Sequence, residues 1–328
     1  MIRKQITVIG SCTQDIMFYT DQAVLMTNPR DILRQRLIGF EYGAKIHSRE
    51  VYLTPGGRGA NVAAGLASLG LRTRLISAVG QDAVGREILA GLKRRGVDIS
   101  GVQRKKKIGT AFSLVVNVRP DNEHVLFAYR GAGDLLTLKP SLIRRINSSW
   151  VYLNSLVGVR PALLSRLFDH LQNKKIMLAW NPGAVELKWG LKKLRRYINS
   201  RTVLIVNRDE ALELVQSLKT HKKVNNIKSL AKALHQSQKL TAITDGAQGA
   251  YVYDGRKLYY HQATHHRPVN TTGAGDAFGA GLIAGLIRYQ GDIDRSLRLG
   301  LLNSGSVVSQ VGAQTGLLSK KDLVRWKL

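Results

Sequence analysis

The chain has 328 residues, one cysteine and 44% hydrophobic residues. A chain of this length buries a large core, and a single cysteine excludes a scaffold built on intramolecular disulfides. The formal net charge of +28 attracts anions. Its basic residues nevertheless fall in short, scattered clusters without interleaved aromatics. This pattern argues against a dedicated nucleic-acid surface and leaves an anionic substrate or loose RNA association open.

The sequence contains no targeting or membrane-spanning pattern. The N-terminal segment lacks the long apolar core and the small-residue cleavage site of a signal peptide. The longest apolar run near the C-terminus, 277–287, is glycine-rich and too short to cross a bilayer. We therefore expect a cytoplasmic protein that makes no membrane contact.

Short apolar runs alternate with amphipathic segments along the chain. The runs predict buried strands at 5–10, 73–79, 150–154, 175–180, 202–206 and 240–244. The amphipathic segments predict helices at 60–69, 83–95, 161–171, 227–236, 274–289 and 293–308. This alternation predicts an α/β fold, with a mostly parallel sheet covered by helices on both faces. Such sheets bind ligands beyond the carboxyl ends of their strands.

Two segments do not follow the alternation. Residues 38–53 and 111–128 have the composition of strands without intervening helices, and the second is predicted to be a hairpin that turns at 120–122. Strands of this kind, inserted into an α/β core, can form a small flap over a site. Such a flap would exclude water from a reaction at that site.

The strongest local motif is Asn-Thr-Thr-Gly-Ala-Gly-Asp at 270–276, directly before a predicted helix. Gly273, Ala274 and Gly275 leave backbone N–H groups free at the positive end of that helix, which is a ready anion site. Asp276 lies in the first turn, where it can accept the proton of an attacking hydroxyl group. The alternative is an ordinary glycine-rich turn with Asp276 as a helix-start residue.

A second glycine-rich loop enters a predicted helix at 55–63. Gly56 and Gly57 permit a close backbone approach to a polyol or phosphate, and Arg58 and Asn61 can donate hydrogen bonds. The chain has no Gly-Lys-Ser/Thr ending of a Walker loop. It also lacks a Gly-x-Gly-x-x-Gly after the first strand, which argues against a dinucleotide-dependent dehydrogenase.

Six motifs in the same order resemble the ribokinase-like (PfkB) carbohydrate kinase family along almost the whole chain. They are Gly10-Ser11 with Asp15, the loop at 56–61, Asn207 to Glu210, Thr244 to Gly246 with Gly249, the motif at 270–276, and Gly312-Ala313-Gln314. The resemblance implies one ribokinase-like domain over 1–328, a three-layer sandwich with a central, mostly parallel sheet. It further implies a small β-strand lid inserted at about 16–53 and 111–130, and an ATP-dependent carbohydrate kinase.

The resemblance also implies roles on the nucleotide side. Asp276 would be the general base, and the N–H groups of Gly273, Ala274 and Gly275 would form an anion hole for the transferred phosphoryl group. Further residues would bind the nucleotide with its Mg²⁺: Asn207 and Glu210 for the ion, through water, Thr244, Gly246 and Gly249 along the phosphates, and Asn303 near the adenine. Asn207 and Glu210 also fit a helix capping box, and Asn303 fits a contact between helices.

On the acceptor side, Asp15 and Asn61 would bind neighbouring hydroxyl groups, beside Gly56, Gly57 and Arg58. Arg130, at the end of a predicted flap strand, either reaches this pocket or faces solvent. Departures from the family pattern put ribose itself in doubt. They are Thr13 in place of Asn, Arg58 in place of the usual Lys, and Asn154 where a ribokinase has a ribose-binding Glu.

Asn270 stands where the family usually has Asp, beside a monovalent-cation site in many relatives. Loss of a carboxylate there is expected to weaken K⁺ binding, so the resemblance leaves K⁺ activation open.

Several functions fit these motifs. A sugar kinase is the first hypothesis, and a nucleoside kinase with the same machinery is the second. A phosphosugar kinase would use Arg58 and Arg130 as phosphate clamps. A binding protein without catalysis, attached to nucleic acid through its basic surface, is the alternative from a different class. By resemblance, the lid strands allow a homodimer.

Overall fold

The computed structural model describes residues 5–28, 36–118, 123–156, 158, 161–218, 224, 226–264 and 267–325. The strands in these ranges are β1 Gln5–Ile9, β2 Thr13–Thr20, β3 Val24–Thr27, β4 Arg36–Gly39, β5 Glu50–Gly56, β6 Arg72–Gly80, β7 Asp98–Lys105, β8 Ala111–Val118, β9 Glu123–Tyr129, β10 Trp150–Asn154, β11 Met177–Asn181, β12 Thr202–Asn207, β13 Leu240–Thr244, β14 Ala250–Tyr253 and β15 Leu258–His261.

The α-helices in the same ranges lie mostly between these strands. They are α1 Arg58–Ser68, α2 Ala83–Arg94, α3 Pro140–Arg144, α4 Pro161–Asn173, α5 Ala184–Leu187, α6 Gly190–Leu194, α7 Arg208–Gln216, α8 Ile227–Leu234, α9 Ala274–Arg288, α10 Ile293–Val308 and α11 Lys320–Arg325. The twelve strands and helices predicted from the sequence agree with the observed ones to within two residues at either end.

The central sheet contains nine of the described strands in the order β15-β14-β13-β12-β11-β10-β1-β6-β7. The strands from β13 to β7 in this order pair in parallel, and β14 and β15 are antiparallel to their neighbours. A parallel sheet buried on both faces needs continuous apolar strands, and β10 and β12 meet this need. The predicted, mostly parallel sheet is confirmed.

Two hydrophobic cores lie on opposite faces of this sheet. One packs α1, α2, α9, α10 and α11 against residues such as Val8 and Tyr152. The other packs α3 to α8 against the alternate residues, such as Ile9 and Leu153. Because successive side chains of a strand point to opposite faces, neighbouring residues of β1 and of β10 enter different cores. The result is the predicted three-layer sandwich.

A second sheet joins four strands in the order β5-β2-β8-β9, and we call it the lid sheet. Strands β8 and β9 are antiparallel neighbours, as expected of a hairpin, while β2 and β8 pair in parallel. The predicted turn at 120–122 lies outside the described residues. The lid sheet begins at Thr13, directly after the loop that follows β1.

The prediction that strand structure continues through 38–53 was wrong between residues 40 and 49. These residues form a turn and irregular backbone, with β4 before them and β5 after them. Gly43, at φ 80, interrupts an extended conformation. Sequence patterning also missed β7, an edge strand in which Gly101 is the one buried residue. An edge strand of mixed polarity gives no alternating signal.

None of the helices in the described ranges is both long enough and apolar enough to cross a bilayer.

Candidate active site

The carboxyl ends of the parallel strands meet at one edge of the central sheet. Gly10 follows β1 there, Asn154 and Asn181 end β10 and β11, and Asn207 and Thr244 end β12 and β13. Ligands of open α/β sheets bind at this edge. The sheet topology therefore brings several residues of the predicted motifs together at this edge of the central sheet.

The first glycine-rich loop lets α1 begin close to the chain that leaves β1. Gly57, at φ 91, precedes the helix, and a β-carbon there would lie 2.7 Å from the Ser11 carbonyl oxygen and the Thr13 nitrogen. A β-carbon on Gly59 would lie 2.8 Å from the Cα atom of Gly10. Glycine is thus required at both positions, for contact between two backbone segments.

The second glycine-rich motif forms the N-terminus of α9. Gly273 takes the left-handed conformation at φ 79, and a β-carbon there would clash with Ala313. Ala274 donates its N–H to the Thr271 carbonyl oxygen at 3.2 Å, so this proposed anion-hole donor is already engaged. Within the described ranges, the N–H of Gly275 has no acceptor. It is the kind of free donor that the first turn of a helix offers to an anion.

Asp276 lies in the first turn of α9 and is 7% exposed. Its Oδ2 accepts a hydrogen bond from Asn61 Nδ2 at 2.8 Å. Burial raises the pKa of Asp276 to about 6, although the Arg58 guanidinium and the Asn61 hydrogen bond counteract this effect. A carboxyl group with a pKa near 6 is well matched to proton transfer at neutral pH.

Asp15 is the second buried carboxylate of the site, at 5% exposed. Burial raises the pKa of Asp15, while hydrogen bonds from Ser113 and Thr13 lower it. The Thr13 hydroxyl lies 3.3 Å from Asp15 Oδ1. Gly56 lies on the neighbouring strand β5, and a β-carbon there would overlap the Asp15 carboxyl group. The role of Gly56 is therefore to make room for Asp15.

Two cavities meet at Asp276. The lid-side cavity, of about 450 Å³, lies between the lid sheet and the strand ends, and its polar lining includes Ser11, Thr13, Asp15, Arg58, Asn61, Ser113, Arg130 and Asp276. The helix-tip cavity, of about 230 Å³, is lined by Arg58, Asn181, Ile205, Val206, Asn207, Glu210, Thr244, Thr271, Gly273, Ala274, Gly275 and Asp276. Arg58, Gly273 and Asp276 line both cavities. The two spaces are therefore adjacent, and Arg58, Gly273 and Asp276 lie between them.

Asn207 and Glu210 form the capping box that their spacing predicted. The Asn207 side chain accepts from Glu210 N at 2.8 Å, and the Glu210 side chain accepts from Asn207 N at 2.9 Å. Glu210 Oε1 also lies 3.7 Å from Arg58 Nη2. Burial raises the pKa of Glu210, which the Asn207 hydrogen bond and Arg58 counteract. This carboxylate at the cavity wall suits a hydrated Mg²⁺, which keeps several waters.

No group of three or more His, Cys, Asp or Glu in the described ranges is placed to hold a metal ion directly. A single carboxylate that acts through water is compatible with this finding, since Mg²⁺ sites commonly use one or two carboxylates plus substrate phosphates.

Three expected nucleotide residues lie away from both cavities. Gly246 and Gly249 form the turn between β13 and β14 and line neither space. Asn303 is fully buried, donates to the Ala277 carbonyl oxygen at 2.7 Å and accepts from Leu318 N at 2.9 Å. One end of its amide therefore packs α10 against α9 at Ala277, and the other holds Leu318, which precedes α11. The expected place of Asn303 beside the adenine stays a prediction.

The two remaining residues expected to bind the acceptor, Arg130 and Asn154, differ in whether they reach the lid-side cavity. Arg130 is exposed and lines the lid-side cavity. Asn154 is fully buried, has no hydrogen-bond partner for either side-chain atom within the described ranges, and does not line that cavity. A β-carbon on Gly10 would lie 3.0 Å from Asn154 Nδ2, so Asn154 packs directly against Gly10, which lines the cavity.

Asn270, where the family usually has Asp, uses its side chain within the loop. Its Oδ1 accepts from Thr272 N at 3.0 Å, and its backbone N–H donates to the Val308 carbonyl oxygen at 3.1 Å. The amide therefore shapes the turn that precedes the helix tip.

Sequence reasoning missed Glu186, which organises one wall of the lid-side cavity. Glu186 is 2% exposed and accepts from the Ser155 hydroxyl at 2.7 Å, from Leu156 N at 3.0 Å and from Gly183 N at 3.0 Å. Three donors satisfy this buried carboxylate and hold two strand-end loops together. Ser155, Leu156 and Gly183 all line the cavity. A glutamate in the short helix after a strand gives no distinct sequence signal.

Comparisons with known proteins identify the family of the chain. Residues 4–321 match the model of the pfkB family carbohydrate kinases. The chain is 26% identical over 326 residues to a ribokinase of Bacillus subtilis (strain 168), with 98% of each chain covered. The chain belongs to the pfkB family of carbohydrate kinases, which are ATP-dependent phosphotransferases.

Solved structures show the same fold. A nucleoside kinase of Methanocaldococcus jannaschii, an archaeal member of the ribokinase family, has a TM-score of 0.77 at 21% identity, with 98% of this chain and 97% of that chain covered. A ribokinase of Cryptococcus neoformans var. grubii serotype A in complex with ADP has a TM-score of 0.75 at 23% identity, with 99% and 100% covered. The predicted ribokinase-like fold is confirmed.

Proposed function

We propose that this chain transfers the γ-phosphoryl group of ATP to a hydroxyl group of a sugar or sugar-like acceptor, with Asp276 as general base. The observation that carries the proposal is the position of Asp276 where the lid-side and helix-tip cavities meet. An acceptor in the first cavity and a triphosphate in the second would approach each other at this carboxylate. In-line transfer requires such a meeting point.

The acceptor would bind between Asp15, Asn61 and Asp276. Two buried carboxylates can each accept hydrogen bonds from hydroxyl groups. The ionised Asp276 would take the proton of the attacking hydroxyl as its oxygen bonds to the γ-phosphorus, while the bond from that phosphorus to the β-phosphate oxygen breaks and ADP leaves. With a pKa of about 6, Asp276 is mostly ionised at neutral pH. The lid sheet would cover the acceptor and exclude water that would otherwise hydrolyse ATP.

The phosphate groups would bind at the tip of α9. The N–H groups of Gly273 and Gly275 and the positive helix terminus would stabilise the negative charge of the transferred group, while the N–H of Ala274 donates to the Thr271 carbonyl oxygen. Asn207 and Glu210 would hold Mg²⁺ through water, and this ion would neutralise charge on the phosphates. Thr244 lines the same cavity, and Arg58 contributes a cation at its boundary.

A nucleoside acceptor is the second candidate for the same site. Phe112, Leu126, Tyr129, Leu136 and Leu156 line the lid-side cavity. Apolar and aromatic side chains of this kind suit a flat, weakly polar ring such as a nucleobase. A phosphosugar would instead use Arg58 and Arg130, which line the same cavity.

The test is phosphoryl transfer from ATP to ribose, fructose, fructose 6-phosphate and adenosine, measured for the wild-type chain and for Asp276→Asn. We expect transfer to at least one acceptor and a fall in kcat of about 10² to 10⁴ in the variant, the usual range for a lost general base. ATP affinity, followed by calorimetry, is expected to be largely retained. Near-normal turnover of Asp276→Asn would contradict the proposed mechanism.

A homodimer through the lid sheet is a further proposal. Val51, Leu53 and Phe127 of this sheet are 51%, 63% and 56% exposed, which is high for large apolar side chains. Sedimentation analysis of the wild-type chain and of Leu53→Lys tests it. A monomeric wild type would refute the dimer.

A further inference from the structure

Gln314 makes a contact with the proposed site that the reaction described above does not use. The side chain is 5% exposed, and its Nε2 donates to Asn61 Oδ1 at 3.1 Å. Asn61 is 4% exposed and donates from Nδ2 to Asp276 Oδ2 at 2.8 Å. The three buried side chains form one hydrogen-bonded chain that ends on the carboxylate.

The hydrogen bonds from Gln314 through Asn61 to Asp276 can run in only one favourable direction. An ionised carboxylate only accepts hydrogen bonds, so Asn61 must turn its NH₂ group toward Asp276. The Asn61 carbonyl oxygen then faces the opposite way, in a buried place where it needs a donor. The NH₂ group of Gln314 is that donor. If the Asn61 amide were reversed, its oxygen would face the Asp276 oxygen, and two acceptors would repel each other.

We propose that Gln314 is a positioning residue: it holds the Asn61 amide with its NH₂ group toward Asp276 Oδ2, which leaves the other carboxylate oxygen to receive the acceptor proton. The proposal rests on the function proposed above, because it takes Asp276 as the base. It assigns a role to a side chain that does not line either of the two cavities that meet at Asp276.

The segment that carries Gln314 is itself held on both sides. Arg95 Nη2 donates to the Gln314 carbonyl oxygen at 3.2 Å. Ala313, the preceding residue, packs against Gly273 so closely that a β-carbon there would lie 2.4 Å from the Ala313 Cβ. One short segment therefore contacts the helix tip through Ala313 and the base through Gln314 and Asn61. The amide of Gln314 approaches Asn61 from a supported backbone.

Loss of this donor has a defined electrostatic consequence. A hydrogen bond to the ionised form of a carboxyl group lowers its pKa, and Asn61 supplies such a bond to Asp276. Without Gln314, the Asn61 oxygen is buried without a donor, and its amide is free to turn away from the orientation that serves Asp276. The pKa of Asp276 should then rise above about 6.

The test compares Gln314→Met with Gln310→Met. Methionine matches the length of glutamine and lacks its amide, and Gln310 is an exposed residue of the same segment. Two properties are measured: the pH dependence of kcat, and the pKa of the Asp276 carboxyl group by ¹³C NMR, assigned with Asp276→Asn. In Gln314→Met we expect both to move upward by about one pH unit, the size of one charge-assisted hydrogen bond. The Gln310→Met values should equal those of the wild type.

A double-mutant cycle separates positioning from a general effect on the fold. In an Asn61→Leu background, Gln314→Met should leave the Asp276 pKa unchanged, because the group through which Gln314 acts is gone. A continued upward shift there would overturn the proposal, as would an unshifted Asp276 pKa in Gln314→Met alone. If Gln314→Met does not fold, Gln314→Leu serves the same purpose, since its side chain adds no charge and cannot donate to Asn61.

The NMR measurement does not depend on turnover, so the two proposals fail separately. Normal turnover of Asp276→Asn would refute Asp276 as the base. Loss of turnover in Asp276→Asn, together with an unshifted Asp276 pKa in the Gln314 variants, would refute the positioning role alone.

Discussion

Arg58 and Glu210 form an ion pair, with 3.7 Å between Nη2 and Oε1, where the lid-side cavity meets the helix-tip cavity. The pair joins the first glycine-rich loop to the capping box of α7. Arg58 is also a cation that acts on Asp276 in a group of three carboxylates, those of Asp15, Glu210 and Asp276 itself. Asp15 and Glu210 raise the pKa of Asp276, and Arg58 lowers it. Arg58 therefore keeps the proposed base ionised while it holds the proposed metal carboxylate in place.

The first prediction follows from this charge balance. Replacement of Arg58 by Gln removes the cation that stabilises ionised Asp276, so the low-pH limb of the kcat profile should move to higher pH. We expect a displacement of about half a unit, since the Arg58 side chain is 42% exposed and solvent screens part of its field. Arg298→Gln on the exposed face of α10 is the control. If the low-pH limb of the kcat profile does not move in Arg58→Gln, Arg58 does not lower the pKa of Asp276.

The second prediction separates the two roles of Glu210. Gln also closes a capping box, so Glu210→Gln should change the free energy of unfolding by less than about 1 kcal/mol. The variant loses the negative charge that would attract hydrated Mg²⁺. The Mg²⁺ concentration needed for half-maximal activity should therefore rise about tenfold. Titration of Mg²⁺ at fixed ATP measures it, and an unchanged requirement would contradict the metal role.

The third prediction uses the two glycines at the tip of α9 as a matched pair. A β-carbon on Gly275 meets no atom within 4 Å, whereas one on Gly273 clashes with Ala313. Gly275→Ala should fold normally, and its free energy of unfolding should rise by up to about 1 kcal/mol because alanine favours the helix. Its methyl group should nevertheless obstruct the phosphoryl group and lower kcat. Gly273→Ala should lose stability as well, because Gly273 is left-handed.

Thermal unfolding and steady-state kinetics on both variants provide the measurement. The informative outcome is a stable Gly275→Ala chain with reduced turnover, since loss of structure cannot explain it. Full activity of this variant would mean that the phosphoryl group does not approach the helix at Gly275.

The glycine motifs were readable from the sequence because each marks a backbone position that other residues cannot occupy. Gly57 and Gly273 both have positive φ and both touch neighbouring backbone. The capping box of Asn207 and Glu210 was equally readable, because its two partners lie three residues apart. Local chemistry of this kind needs no knowledge of the fold.

Contacts between distant parts of the chain could not be read in this way. Gln314 and Asn61 are 253 residues apart, and the glutamine carries no local sign of its partner. Asn303 lies in a helix of small residues, where the same pattern fits packing and binding alike, and tertiary contacts with Ala277 and Leu318 decide the outcome. Pairing across a fold depends on topology, which the motifs do not encode.

The last prediction concerns the cost of holding Asp276 ready for proton transfer. Its pKa rises from the ordinary value of 3.8 to about 6 on folding, mainly through burial. As pH rises from about 4 to about 6, the unfolded chain releases this proton before the folded chain does, so the folded state loses stability. A difference of about two pKa units corresponds to about 3 kcal/mol.

Asp276→Asn removes this cost, since asparagine is neutral at every pH. The gain in unfolding free energy relative to wild type should therefore be larger at pH 8 than at pH 4, as measured by urea denaturation. Asp82→Asn is the control with the opposite sign. Burial raises the Asp82 pKa, but hydrogen bonds from Thr110 and Gly85 lower it overall, so this variant should lose more stability at pH 8 than at pH 4. If the gain in unfolding free energy of Asp276→Asn does not change with pH, folding does not raise the pKa of Asp276.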